Sequence, residues 1–112
     1  MATGELRSLS EQQLMDCSNK YGNKGCQGGL MDNAFKYIVA NHGLDSEKDY
    51  DYKGMNGNCS SDRASRVVAT IDSFADVPVS NEAQLAAAVN KGPVSVAIEA
   101  DQSGFQSYKS GV

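Results

Sequence analysis

Three cysteines, Cys17, Cys26 and Cys59, set the tightest limit on what this chain can build. The number is odd, so at least one thiol has no partner inside the sequence. The cysteines contain no C-x-x-C pair and His42 is the only histidine. A structural zinc site needs four ligands at tight spacings, so the sequence offers no metal site. The 112 residues amount to one domain at most. With 14 acidic and 10 basic residues the net charge is −4, against the basic face that a nucleic-acid binder needs. No apolar run approaches the roughly 20 residues of a membrane span. These residues contain no charged start followed by an apolar stretch of the signal-peptide kind.

The chain has two textures, with no internal repeat and no linker-like stretch between them. Residues 1–63 read as helical and loop-rich and hold all three cysteines; residues 64–112 read as strand, helix, strand and a short final turn. Ser10 with Gln13 three residues later makes a capping box, and Leu9 with Leu14 a hydrophobic staple, for a helix reaching about Cys17. Ser18 to Gly29 is a glycine- and asparagine-rich loop. Leu30, Ala34 and Ile38, with Met31 and Phe35 beside them, give a second helix to about Ala40 one apolar face. Asn41-His42-Gly43 ends it, with Gly43 the expected left-handed residue. A polar loop over 44–63 carries Tyr50 and Tyr52 as anchors. Val67 to Phe74 reads as a strand. Asn81 with Gln84 opens another helix with Leu85 and Val89 on its buried face, and Lys91-Gly92-Pro93 stops it. From Val94 to Ala100 the residues alternate, placing Val94, Val96 and Ile98 in the core and Ser95, Ala97 and Glu99 on a small polar face.

Several motifs fail on inspection. The acidic stripe Asp45, Glu47, Asp49, Asp51 resembles a calcium loop, but Tyr50 stands where its glycine belongs and Asn56 where its bidentate glutamate belongs. Gly22, Gly25, Gly28 and Gly29 lack the G-K-[ST] and the preceding strand of a phosphate loop. Asn58-Cys59-Ser60 matches the N-glycosylation triplet, with a cysteine at its centre that disfavours use once bridged. A nucleophilic cysteine needs a histidine base and an orienting third group. His42 sits in a helix stop and reads as a surface residue at the helix end. No complete catalytic set emerges from local pattern.

A longer pattern does emerge. Thr3-Gly4, Leu6, Ser8-Leu9-Ser10-Glu11-Gln12, Leu14 and Asp16-Cys17-Ser18 resemble the T-G-x-L-x-S-L-S-E-Q-x-L-x-D-C-S run of papain-like cysteine proteases. Gly25-Cys26-Gln27-Gly28-Gly29-Leu30-Met31-Asp32 with Ala34-Phe35 resembles their G-C-x-G-G-L-M-D-x-A-F segment. Gly43-Leu44-Asp45-Ser46-Glu47, Tyr50-x-Tyr52, Gly92-Pro93-Val94-Ser95-Val96-Ala97-Ile98, Phe105, Tyr108 and Gly111 follow in family order. The chain is most similar to the cathepsin L subgroup, and the match covers essentially all of it.

The resemblance implies an α+β, papain-like two-domain fold, present in part: the end of the helical left domain over 1–63 and the opening of the β-rich, barrel-like right domain over 64–112. It implies a Cys17–Cys59 disulfide closing a loop of about 40 residues, worth roughly 3 to 4 kcal/mol. It leaves Cys26 as a half-cystine whose partner lies upstream of the family's nucleophile, and it places the protein in a lysosome or outside the cell. Neither the nucleophilic cysteine, the oxyanion-hole glutamine, nor the catalytic histidine and asparagine has a match here, so no catalytic residue is expected in the chain. What the resemblance does assign is a substrate wall. Gly29 would bond an extended substrate at its P2 residue with Gly28 beside it, while Leu30, Met31 and Ala97 would line a roomy apolar S2 pocket. No metal or cofactor is implied. Polypeptide substrates and protein inhibitors of cysteine proteases are the implied partners, with no nucleic acid or membrane, and the full enzyme is expected to be monomeric. Asp51 departs from the family's Tyr-Pro-Tyr, and Lys24, Gln27 and Asn33 border the S3 region.

Two readings follow. One is part of an active cysteine endopeptidase, this chain giving cleft walls and no chemistry. The other is a non-catalytic homologue or a peptide- or inhibitor-binding module. Lacking the central helix and most right-domain strands, the isolated chain is expected to fold poorly and to aggregate, with Cys26 forming intermolecular bridges.

Overall fold

The computed structural model describes residues 4–112, so Thr3 of the first motif lies outside it. The chain divides into two compact units, Met1–Asp76 and Val77–Val112. In the first, helix α1 (Glu11–Cys17) is followed by two short 3-10 turns (Ser18–Tyr21 and Gly25–Gln27), helix α2 (Met31–Ala40), strand β1 (Leu44–Asp45), a single helical turn α3 (Ser61–Ala64) and strand β2 (Val67–Ala69). The strands β1 and β2 pair antiparallel, Leu44 opposite Ala69 and Asp45 opposite Val67, with an irregularity between the two.

Helix α1 starts where its cap dictates. Ser10 is extended and its hydroxyl accepts the Gln13 N–H, satisfying one of the free donors of the first turn. The reciprocal half of the expected capping box is absent. Gln13 is fully buried and turns inward. Its amide nitrogen donates to the Tyr37 hydroxyl at 2.9 Å and to the Ala64 carbonyl, and its oxygen accepts the Asp45 N–H at 2.8 Å. A single side chain thus ties α1 to α2, β1 and α3. The core around it is small: Cys17, Tyr37, Leu44, Tyr50 and Ala64 are buried, with Leu9, Leu14, Tyr21 and Ile38 packed against them.

Helix α2 buries less of its apolar stripe than its periodicity suggests. Tyr37 is its one buried residue, whereas Leu30 and Met31 are 67% and 40% exposed. The reason is the hydrogen-bonded contact made by Tyr37 with Gln13, which fixes the inward face one position away from the purely apolar one. The helix ends as a Schellman motif, with Gly43 N–H on the Ile38 carbonyl at 2.9 Å and His42 N–H on Val39 at 3.2 Å. Both His42 (φ 61°) and Gly43 (φ 134°) take positive φ, so the glycine that the stop pattern suggests is present and a histidine precedes it in the left-handed region.

The polar loop expected over 44–63 is partly ordered by buried polar contacts. Tyr50 is 1% exposed; its hydroxyl donates to Asp16 at 2.8 Å and accepts the Ser60 N–H, and Arg63 lies over its ring, 4.6 Å from the guanidinium carbon to the centroid. The strand expected over 67–74 shortens to three residues, because β1 offers only two residues to pair with.

Asp45 is fully buried and neither of its carboxylate oxygens has a hydrogen-bond partner among the described residues. Burial pushes its pKa up, Asp49 adds to the rise, and Arg66 and Arg63 oppose it. The folded state therefore holds a proton that the unfolded chain releases near pH 4. Stability from this group is fully present below that pH and falls as pH rises through the higher folded value. We expect Asp45→Asn to remove that slope. Denaturant midpoints should favour the variant more at pH 7 than at pH 4, and parallel pH profiles for the two proteins would contradict this.

The second unit holds helix α4 (Glu82–Val89) and one final helical turn, α5 (Ser103–Gln106). Asn81 caps α4 by accepting the Gln84 N–H at 3.0 Å. Leu85 and Val89 are exposed rather than buried. The alternating stretch 94–100 forms no hydrogen-bonded ladder among the described residues, and Val96 and Ile98 are 58% and 62% exposed. Alternation specifies two faces, but a strand also needs a neighbouring strand and an apolar layer. The described part of this unit supplies neither.

Candidate substrate-cleft wall

Gly28, Gly29, Leu30 and Met31 form one continuous exposed strip leading into α2. The strip begins where the turn Gly25–Gln27 ends at Gly28, whose φ of 107° is open to glycine and strained for other residues. A Cβ at Gly28 would meet nothing within 4 Å. At Gly29 the position is different: a Cβ would sit 2.4 Å from Oδ1 of Asn23. That oxygen accepts the Leu30 N–H at 2.8 Å, while the Asn23 amide nitrogen donates to the Ser18 hydroxyl at 2.9 Å. Gly29 is thus needed for a close approach within the chain. Its own N–H and C=O make no hydrogen bond among the described residues.

A second asparagine braces the other end. Asn56 accepts the Cys26 N–H at 2.7 Å and donates to the Gln27 side chain at 2.7 Å. The loop carrying Asn56 is itself held by Gln12, which donates to the Met55 carbonyl and accepts the Lys53 N–H, both at 2.9 Å. The bracing roles of Asn23, Asn56 and Gln12 are not visible in the sequence. Asn23 and Asn56 each lie beside or near glycine in polar loops, and such residues read first as turn formers.

Ala97 belongs to the second unit, in the exposed ladder-free stretch. Cys17 and Cys59 are joined by a disulfide with a Cα–Cα distance of 4.8 Å, and Cys26 is free and exposed. His42 is exposed at the end of α2. An open groove of about 530 Å³ in the first unit is lined by Ser8, Glu11, Met15, Glu47 and Tyr52, with neither a cysteine nor a histidine. Among the described residues no three His, Cys, Asp or Glu side chains are grouped to hold a metal ion. No helix there is long and apolar enough to cross a membrane.

The model of the papain family cysteine protease matches residues 1–112. The chain belongs to the papain family of cysteine proteases. It is 53% identical over 112 residues to a low-temperature-induced cysteine proteinase of Solanum lycopersicum, covering all of this chain and 32% of that protein. It is 53% identical over 110 residues to a cathepsin L of Sarcophaga peregrina, covering 97% of this chain and 32% of that protein. Among solved structures it resembles digestive procathepsin L 3 of the Tenebrio molitor larval midgut, with a TM-score of 0.73 and 46% identity over 80% of this chain and 29% of that one. The papain-like fold expected from the motifs is therefore present, and the chain spans about a quarter to a third of the curated relatives it matches.

Proposed function

We propose that this chain forms one wall of the substrate cleft of a cathepsin L-like cysteine endopeptidase. The observation that carries the reading is the Gly28–Met31 strip: a braced, exposed backbone at Gly29 without an internal partner, followed by exposed Leu30 and Met31. An extended peptide would pair with Gly29 as it would with a sheet edge. Leu30 and Met31 would offer an apolar S2 surface for bulky aliphatic or aromatic P2 side chains. The complete protein would attack the peptide carbonyl with a thiolate and pass through an acyl-enzyme. No residue of this chain matches the nucleophile or its partners, so the 112 residues alone are expected to show no peptidase turnover. Polypeptides are the proposed substrates, protein inhibitors of cysteine proteases further partners, and a monomer in a lysosome or outside the cell the proposed setting. The Cys17–Cys59 disulfide supports an oxidising or secretory route.

The test is Met31→Glu in the complete protein. Specificity constants for peptides with Leu or Phe at P2 should fall by about 10- to 100-fold, the scale of one to three kcal/mol of apolar contact. Peptides with Ala at P2 should change little. Equal losses for all P2 residues would remove the S2 assignment. No hydrolysis by the wild-type complete protein would remove the peptidase reading.

A further inference from the structure

We propose that Asn58 is an N-glycosylation acceptor whose occupancy is set by competition with closure of the Cys17–Cys59 disulfide. The triplet Asn58-Cys59-Ser60 supplies the acceptor amide and the hydroxyl that its recognition requires. Asn58 is exposed, and its side chain makes no hydrogen bond among the described residues. A glycan on its amide nitrogen would leave every contact of this loop intact and point into solvent.

The folded loop, however, cannot be drawn out to meet a transferase. Two residues before Asn58, the Asn56 side chain holds Cys26 and Gln27. One residue after it, Cys59 is bridged to Cys17. Ser60 then donates its N–H to the Tyr50 hydroxyl at 3.2 Å, and its carbonyl accepts the Ala64 N–H at the start of the turn α3. Transfer must therefore precede folding of this segment, and the same triplet has two exclusive early fates. The Asn58 amide nitrogen attacks the anomeric carbon of a lipid pyrophosphate-linked oligosaccharide. A carbon–nitrogen bond forms, the sugar–phosphate bond breaks, the lipid pyrophosphate leaves with the electron pair, and the amide nitrogen gives up one proton. Alternatively Cys59 first finds Cys17, 42 positions away, and Asn58 stays bare. Glycan transfer needs the transferase of the secretory compartment, and closing the bridge removes two electrons and two protons from the thiols, which a protein disulfide there accepts as it is reduced to a dithiol, so the inference rests on the location proposed above.

The experiment is expression of the complete protein in a secretory cell. Total cell protein is digested, and both Asn58 occupancy and the Cys17–Cys59 bridge are mapped by mass spectrometry. Wild type should be partly occupied. Cys17→Ala keeps the triplet and frees Cys59, so occupancy should rise. Ser60→Ala should abolish it while the bridge persists. Because transfer precedes folding, the reading on total cell protein holds even where Cys17→Ala folds poorly. A bridged wild type, with Asn58 bare both there and in the bridge-less Cys17→Ala, overturns this inference alone. Equal occupancy in the two overturns the competition. Absence of both bridge and glycan overturns the inference together with the proposed location.

Discussion

Replacing Cys17 with alanine in the complete protein is expected to lower its stability by about 4 kcal/mol, the loop-closure value for a bridge spanning some 40 residues. The bridge joins the last residue of α1 to Cys59, 42 positions later. Without it, the denatured chain regains the freedom to separate those points, and the folded loop loses its anchor beside Tyr50. Cys17 is itself buried, with its sulfur 3.8 Å from the Tyr50 hydroxyl, so packing is lost as well. Cys59→Ala should cost a similar amount, and the double variant little more than either single one, because both remove the same constraint. Lys48→Ala, at an exposed position in the same unit, should stay within about 0.5 kcal/mol of wild type. Urea titrations of the four proteins decide the matter. A Cys17→Ala midpoint equal to that of Lys48→Ala would show that the bridge carries no stability.

The second large effect is expected at Gln13. Gln13→Leu should cost about 3 kcal/mol or more, since it strips partners from several buried groups at once. The Asp45 N–H and the Tyr37 hydroxyl would be left unpaired and the Ala64 carbonyl would keep only its bond from Asn41, and Tyr37 and Ala64 are 6% and 4% exposed. Gln84 occupies the same position after a cap in α4 and is exposed. Gln84→Leu should therefore shift stability by no more than about 0.5 kcal/mol. Matched thermal melts of the two variants give the comparison. Similar shifts would mean that the Gln13 contacts contribute nothing beyond helix propensity.

These two glutamines mark how far the sequence could be read. Both follow a cap residue by three positions, and in both helices the cap forms, because capping is settled within one turn. What Gln13 does next depends on residues 24, 32 and 51 positions away, and no local pattern reports those. The same limit governs α2, where periodicity identified an apolar stripe but not the hydrogen bond that turns Tyr37 inward. It also governs 94–100, whose alternation is a local property and whose ladder is not. The family was legible for the opposite reason: several long motifs in a fixed order carry information that none of them holds alone. Of the wall, Gly28 to Met31 could be named from those motifs. The amides of Asn23 and Asn56 that brace it could not, since hydrogen bonds between loops leave no spacing to detect.

The segment from Lys53 to Cys59 is exposed and irregular, the kind of surface loop in which insertions and deletions are ordinarily harmless. Here it behaves as a strut. Gln12 grips it at Lys53 and Met55, Asn56 presses on Cys26 and Gln27, and Cys59 is bonded to α1. A change of one residue in its length cannot be absorbed between such closely spaced fixtures without moving the turn that ends at Gly28. Drift in loop length among related proteins should therefore be suppressed between residues 53 and 59, and concentrated instead in stretches that hold up nothing else.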